Sequence, residues 1–275
     1  MSKTILITGS TDGLGKEVAT RLAANGWRVL LHGRNPDKGK ATLAEIKNAT
    51  GNESLAYFNA DLSSLSEAKN LADNVIAGEK SLDVLVNNAG IGPRHQNSPR
   101  EVSRDGYELF FAVNYLAGYL LARELLPLLK ASAPSRIINV ASLAQAPVRF
   151  DDVMLEQEYN DGLAYRQSKL AQIVHANALA AQLAGTGVAA NSLHPATLMN
   201  TKMVLDSTAL PDSMTTVDDG ASALLHLISA DTLAQTSGCY FDMTTEARAD
   251  EQAYDALAQE ELMTMSEALV SKALA

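Results

Sequence analysis

Tyr165 and Lys169 stand four residues apart in Ala164-Tyr165-Arg166-Gln167-Ser168-Lys169. In a helix that spacing puts both side chains on one face. An ammonium beside a phenol favours the phenolate and draws down a pKa that starts near ~10. A tyrosine so tuned can give or take a proton at neutral pH. Such pairs are common on surfaces, so the value of this one depends on its company. Ser142 follows the apolar run Arg136–Val140 and offers a hydroxyl that can donate to a carbonyl oxygen. Asn114 lies inside Phe111-Ala112-Val113-Asn114-Tyr115. A buried amide must find partners, so Asn114 marks either chemistry or a kinked, internally satisfied helix.

A second group of residues suits a phosphate. Thr8-Gly9-Ser10-Thr11-Asp12-Gly13-Leu14-Gly15 follows a short apolar run and precedes a helical one. Glycines allow a tight turn and close backbone approach, and the free N–H groups of a helix start face an anion. The loop is not a P-loop, which would need glycine at position 10 and Ser or Thr at position 17, and it lacks the G-x-G-x-x-G spacing. Arg34 comes about 20 residues later, where an acid would bond the ribose 2′-hydroxyl of a dinucleotide. A guanidinium there suits a 2′-phosphate, unless it is merely solvated. Asp61 either bonds an adenine amino group or caps the helix that begins near Ser63-Ser64.

These residues need a frame that brings them together, and the chain alternates strand-like and helix-like runs throughout. Strands are expected at 4–8, 28–32, 55–58, 82–86, 136–140, 188–193 and near 238–242. Helices are expected at 14–24, 37–49, 64–77, 106–130 (kinked or ended by Pro127), 164–184 and 217–229. Short, fully apolar strands separated by helices indicate an α/β fold with a doubly wound parallel sheet buried on both faces. Ligands of such sheets bind beyond the carboxyl ends of the strands. That is where the glycine loop, Arg34, Asp61-Leu62, Asn87-Asn88-Ala89-Gly90, Ser142 and His194-Pro195-Ala196-Thr197 fall.

The chain has 275 residues, net charge −10 and one cysteine. No linker or repeat divides it, so one domain spanning 1–275 is expected. Residues 1–150 hold 17 basic and 14 acidic side chains, residues 151–275 hold 5 and 18. An acidic chain without a basic cluster is a poor partner for nucleic acid or an anionic membrane. A lone Cys239 excludes a disulfide framework and cysteine-held zinc or iron–sulfur centres. No apolar run reaches the ~18 residues of a membrane span, and a cytoplasmic setting is expected.

Taken together, the chain closely resembles the short-chain dehydrogenase/reductase family over about residues 1–245. The Thr8–Gly15 loop is similar to its TGxxxGxG, residues 87–90 to its NNAG, and Asn114, Ser142, Tyr165 and Lys169 to its catalytic tetrad. The resemblance implies an extended Rossmann sheet of about seven strands in the order 3-2-1-4-5-6-7. It implies oxidoreduction between a carbonyl and an alcohol, with a nicotinamide cofactor carrying the hydride. Tyr165 would be the acid or base, with Lys169 lowering its pKa and bonding the nicotinamide ribose. Ser142 would hold the substrate oxygen, and Asn114 would retain a water in a proton relay. Gly9, Thr11, Gly13, Leu14, Gly15, Arg34, Asp61, Leu62, Asn88, Ala89, Gly90, Tyr165, Lys169, Pro195 and Thr197 would contact the cofactor, with NADP favoured over NAD by Arg34.

Two features depart from the usual pattern. Ser142 and Tyr165 are 23 positions apart instead of about a dozen, the extra residues lying at about 146–162. With Arg34, this looks like the retinol-dehydrogenase-like branch, whose members mostly prefer NADP(H). Many of those carry a membrane anchor that is not evident here, so a retinoid is not implied. The family's Pro-Gly reads Pro195-Ala196. Residues 196–219, with Leu198, Met199, Met203, Leu205, Leu210 and Met214, are expected to form a substrate lid or to pack in the core. Residues 246–275 are expected to form a helical extension, with Leu257, Leu262, Met265 and Leu269 on its apolar stripe. Family members commonly pair into homodimers or homotetramers through the helices near 106–130 and 164–184. The substrate expected is a small carbonyl or alcohol that is partly apolar. The rival reading is a non-catalytic dinucleotide sensor that regulates a partner.

Overall fold

A computed structural model describes residues 2–93, 98–197, 199 and 215–275. Its centre is one eight-stranded sheet in the order 3-2-1-4-5-6-7-8. The strands are β1 (Thr4–Ile7), β2 (Arg28–Gly33), β3 (Leu55–Asn59), β4 (Val84–Asn87), β5 (Ser135–Val140), β6 (Val188–His194), β7 (Tyr240–Asp242) and β8 (Thr245–Ala247). The first seven pair in parallel, as expected. β8 folds back antiparallel to β7, pairing Phe241 with Glu246. Residues 246 and 247, expected to begin a helical extension, therefore belong to an edge strand. Its three residues are too few to show a period.

Alternation along each buried strand divides the core in two. Leu6, Leu30, Leu85 and Ile137 face α3 (Leu65–Gly78), α4 (Ala117–Ala131), α5 (Asp161–Gln182) and α7 (Ala256–Leu274). Ile5, Ile7, Val29, Leu31 and Val86 face α1 (Gly13–Ala24), α2 (Pro36–Thr50) and α6 (Val217–Ser229). Short polar caps set the helix starts. Asp12, Asn35, Ser64, Asn160 and Asp255 each accept from an early N–H of the helix that follows, and Thr216 and Asp219 form a reciprocal capping box.

The helix expected at 106–130 differs at its start and ends within one residue of expectation. It begins with a π-turn over Phe111–Leu116 and runs on as α4 to Ala131. Pro127 lies inside it and does not end it. Leu125 and Leu129, both fully buried, hold the turn on either side of the missing N–H. Of the expected lid, Leu198, Met203, Leu205, Leu210 and Met214 lie outside the described residues. Met199 is partly buried against the core beside α6.

The C-terminal helix α7 packs across α4 and α5. Its buried stripe is Ala258, Leu262, Ser266 and Val270, one residue every turn. Leu257, placed on that stripe by sequence, is 75% exposed. It shares the outer face with Glu261, Thr264 and Ala268, because a spacing of four, not of three, carries the contact. Polar bonds fix the register. Tyr115 Oη pairs with Ser266 Oγ at 2.6 Å, Tyr107 Oη donates to the Leu269 carbonyl at 2.8 Å, and Arg123 and Tyr119 both bond Glu267. The chain's own helix thus lies over part of the outer face of α4 and α5.

Leu262 is fully buried between α7 and the rest of the core. Leu262→Ala is expected to lower unfolding stability by about 2–4 kcal/mol, measured as a lower urea midpoint at unchanged slope.

Candidate active site

The strand-end residues converge at the carboxyl edge of β1, β4 and β5, and one hydroxyl organises much of that edge. Thr8 Oγ1 accepts from the backbone N–H groups of Asn88 and Ala89, both at 2.9 Å, and donates to the Val86 carbonyl at 3.2 Å. Asn88 Nδ2 returns the tie, donating to the carbonyls of Thr8 at 2.8 Å and Gly9 at 3.2 Å. The Asn-Asn-Ala-Gly segment is therefore strapped to the glycine loop. Gly9 has a φ of +65° and lies against Ala89, whose Cα would be 2.8 Å from any Cβ added at position 9. A Cβ at Gly15 would come within 2.5 Å of the Gly9 carbonyl and 2.6 Å of Asn88 Nδ2. Both positions admit glycine alone, since real Cβ atoms do not approach so closely.

Sequence reasoning passed over His32. It is buried near the end of β2, and its Nδ1 accepts from the Gly9 N–H at 3.1 Å. Nε2 then carries the proton and bonds the Ala60 carbonyl at 3.1 Å. Burial pushes its pKa down to about 4, so the imidazole is neutral and keeps this bridge at physiological pH. The imidazole thus braces the glycine loop against the segment after β3. The available signal was a histidine in an otherwise apolar strand.

The cofactor-side residues divide. Arg34 is exposed after β2, and its charge is felt by Asp61. Lys38, one turn into α2, bridges to Asp12 at the mouth of the glycine loop and sets a second cation there. Asp61 does not cap α3, as one reading had it. Ser64 does that, accepting from the Glu67 N–H, while Asp61 Oδ1 accepts from Ser63 N at 3.0 Å and Oδ2 meets Arg104. Leu14 and Leu62 bury their side chains in the core, so only their backbones can face a ligand. Thr11 packs its methyl against Gly33. Beyond β6, His194 Nε2 and Thr197 Oγ1 lie 3.0 Å apart.

The four proton-handling candidates lie together. The π-turn widens the helix at Asn114, whose amide forms a two-point bond with the backbone of Ile91: Oδ1 accepts from its N–H at 2.8 Å and Nδ2 donates to its carbonyl at 3.1 Å. Nδ2 also donates to Ser168 Oγ at 3.0 Å. Both N–H groups of the Asn114 amide are thus taken by protein acceptors and Oδ1 accepts one bond, so the buried amide has its partners. Ser142 is buried at the end of β5, beside the Tyr165 phenol. Lys169 is buried too, with Nζ 2.9 Å from the Val140 carbonyl, 3.0 Å from Gln172 Oε1 and 5.7 Å from the centre of the Tyr165 ring.

Burial sets the electrostatics and corrects the expected pKa pattern. The Tyr165 phenol is pushed up by desolvation, and its bond with Ser142 offsets this only in part. Lys169 is pushed down to about 7 by the loss of water. The i,i+4 spacing placed both on one face but left open which acceptors would take the ammonium. Val140 and Gln172 take it.

Apolar surface surrounds the phenol. Phe110 meets the Tyr165 ring edge-on at 6.3 Å between centroids, and Leu155, Tyr159, Leu163 and Ile91 complete this cluster. Leu155 and Tyr159 come from the 146–162 segment. Gln167 pins that segment to α5 by accepting from Arg149 N and donating to the Val153 carbonyl, both at 2.9 Å.

Comparison with known proteins agrees with this geometry. The short chain dehydrogenase family profile matches residues 3–210. Human retinol dehydrogenase 11 is 38% identical over 248 residues, covering 87% of this chain and 76% of that protein. A Mycobacterium paratuberculosis crystal structure superposes with a TM-score of 0.79 at 28% identity, covering 98% of this chain and 93% of that one. A short chain dehydrogenase from Escherichia coli CFT073, solved with NADPH, gives 0.71 at 26% identity, covering 88% and 96%. The chain belongs to the short-chain dehydrogenase/reductase family, in which a nicotinamide cofactor serves oxidation of alcohols or reduction of carbonyls.

The buried ammonium gives a measurable signature. Lys169 titrates near 10.5 when unfolded and near 7 when folded, so between these values the unfolded chain binds more protons and stability rises with pH. Lys169→Met is expected to stabilise the protein most at pH 6. Chemical denaturation from pH 7 to 9 should show that advantage shrinking by about 1.4 kcal/mol per pH unit.

Proposed function

We propose that the protein is an NADP(H)-dependent oxidoreductase that interconverts a carbonyl and an alcohol on a small, partly apolar substrate. The observation that carries this reading is the convergence of Ser142, Tyr165 and Lys169 at the strand edge beside the glycine loop. Arg34 and Lys38 supply cations near the end of β2, where a 2′-phosphate would lie, and the first turn of α1 offers N–H groups to the pyrophosphate. The donor set therefore fits NADP(H), the cofactor named for the Escherichia coli relative. When bound, the nicotinamide supplies or accepts the hydride at the reacting carbon.

The chain's own residues handle the oxygen and its proton. Ser142 Oγ donates to the substrate oxygen and fixes it near the phenol. In reduction, Tyr165 gives its Oη proton to that oxygen as the carbon gains the hydride. In oxidation, the Tyr165 phenolate takes the hydroxyl proton as the hydride leaves. The Lys169 ammonium favours the phenolate and so supports the second direction most. Asn114 retains a water in a proton relay to Lys169 in this reading, and its side chain also holds Ile91, one wall of the apolar cluster. That cluster, together with Leu143, which is 49% exposed beside Ser142, favours substrates with an apolar body. Pro195 and Thr197 are assigned to the nicotinamide end by their place after β6.

Two broader features belong to the same reading. A homodimer or homotetramer is part of this proposal, and α7, bonded to α4 through Glu267, would lie beside any pairing through α4 and α5. No helix among the described residues is long and apolar enough to cross a membrane. We propose a cytoplasmic setting, in keeping with a single cysteine and no disulfide framework.

Tyr165→Phe is expected to lower turnover of NADPH with a panel of aldehydes and ketones by at least ~100-fold, with the fold intact by circular dichroism. Unchanged turnover would overturn the mechanism. Arg34→Ala is expected to raise the Kd for NADPH about tenfold or more while leaving that for NADH within about twofold, measured by fluorescence titration.

A further inference from the structure

Gln172 lies three residues beyond Lys169 on α5 and is 2% exposed. Its Oε1 accepts from Lys169 Nζ at 3.0 Å, and its backbone carbonyl accepts from Asn139 Nδ2 at 2.8 Å. Asn139 Oδ1 in turn accepts from Asn87 Nδ2 at 2.9 Å. Two side-chain amides, Asn87 and Asn139, thus anchor the α5 backbone at Gln172, whose own side-chain oxygen receives the ammonium. Nζ has three N–H groups. One bonds the Val140 carbonyl and one bonds Gln172. The third remains for the side on which Gly90, Asn114 and Tyr165 lie, a Cβ built at Gly90 standing 3.7 Å from Nζ and 3.1 Å from Asn114 Oδ1.

We propose that Gln172 is a positioning residue for the reaction: its amide oxygen, together with the Val140 carbonyl, holds Lys169 as an oriented ammonium beneath Gly90 and beside Tyr165. The proposal rests on the assignment of Tyr165 and Lys169 to proton handling. It goes beyond the four-residue set, because Gln172 touches neither substrate nor phenol and acts through Lys169. Its physical basis is that a buried cation persists only where acceptors replace water. Val140 is a backbone acceptor that no substitution removes, so Gln172 is the adjustable one. The other titratable groups facing Lys169 are Tyr165 on the same helix and His194 at the end of β6, which in turn faces Asp242 on β7. His194 is kept neutral by burial and adds no competing positive charge.

The test uses the intact protein in two measurements. In the first, the chain is labelled with 13Cε-lysine and titrated by NMR without cofactor, the Lys169 signal being identified by its absence in Lys169→Met. Gln172→Met keeps the volume and removes the acceptor, and should move the Lys169 midpoint down by about one pH unit. Gln172→Glu restores an oxygen acceptor and should move it above that of the wild type. In the second, alcohol oxidation and carbonyl reduction are followed against pH. Gln172→Met should lower kcat for oxidation about tenfold or more and for reduction less, with KM within about twofold, and Gln172→Glu should recover most of the oxidation rate. If Gln172→Met does not fold, Gln172→Asn, which retracts the acceptor by one methylene, is held to the same outcomes.

An unchanged Lys169 midpoint in Gln172→Met, or a Gln172→Glu that behaves like Gln172→Met, overturns the proposal. If Tyr165→Phe remains fully active, the acid–base reading fails instead, and the cofactor-free lysine titration still decides whether Gln172 holds the ammonium.

Discussion

A parallel sheet covered on both faces can present polar groups to a ligand only at its strand ends. The apolar residues of β1, β2, β4 and β5 are almost completely buried, and helices cover them on both sides. Polar side chains in that layer must therefore satisfy one another or gather at the carboxyl edge. Thr8, His32, Asn87, Asn88, Asn139 and Ser142 do both. All but Ser142 close a hydrogen bond between neighbouring strands or their loops and hold the glycine loop, the Asn-Asn-Ala-Gly turn and the end of β5 in one frame, while Ser142 Oγ accepts from Ala144 N within its own loop. The edge is rigid because water does not compete for these bonds.

The same burial that makes the frame rigid makes its charge costly. Among the described residues no carboxylate pairs with Lys169, and desolvation dominates its electrostatics. Two neutral acceptors keep the ammonium accessible near neutral pH, where a small change in surroundings alters its protonation. Tyr165 feels desolvation in the opposite sense. Burial thus penalises both the ammonium and the phenolate. A pair arranged in this way moves its proton in response to its immediate surroundings more than to bulk solvent.

The C-terminal helix alters how the fold is closed. It lies over part of the α4–α5 face, buries a narrow stripe of small and apolar residues and leaves Glu260 and Glu261 outside. Part of the acidic excess of the second half thereby becomes solvated surface, and part, as Glu267, becomes an anchor for Arg123 and Tyr119. The 146–162 segment has a comparable role at the active edge. Gln167 ties it to α5 and Gln252 ties it to the start of the C-terminal segment, so the segment that carries Leu155 and Tyr159 is anchored at two places distant in sequence.

The order of strands and helices, the glycine loop and the Asn114, Ser142, Tyr165 and Lys169 set were legible in the sequence. Each rests on a local signal: an apolar run, a cap, a loop glycine or a helical spacing. Helix ends within a few residues and the seven parallel strands followed from the same signals. The three-residue β8 and the π-turn at Phe111–Leu116 did not, because neither leaves a period to read. The Leu257 error has the same origin, since an amphipathic helix shows that it has an apolar face but not where its neighbours stand. Partnership was decided only by tertiary structure. Which acceptors receive the Lys169 ammonium, why His32 belongs to the glycine loop and what covers the α4–α5 face depend on groups distant in sequence. A side chain's type fixes what bonds it can make, whereas burial and geometry select which of them it makes and, through desolvation, which protonation state survives.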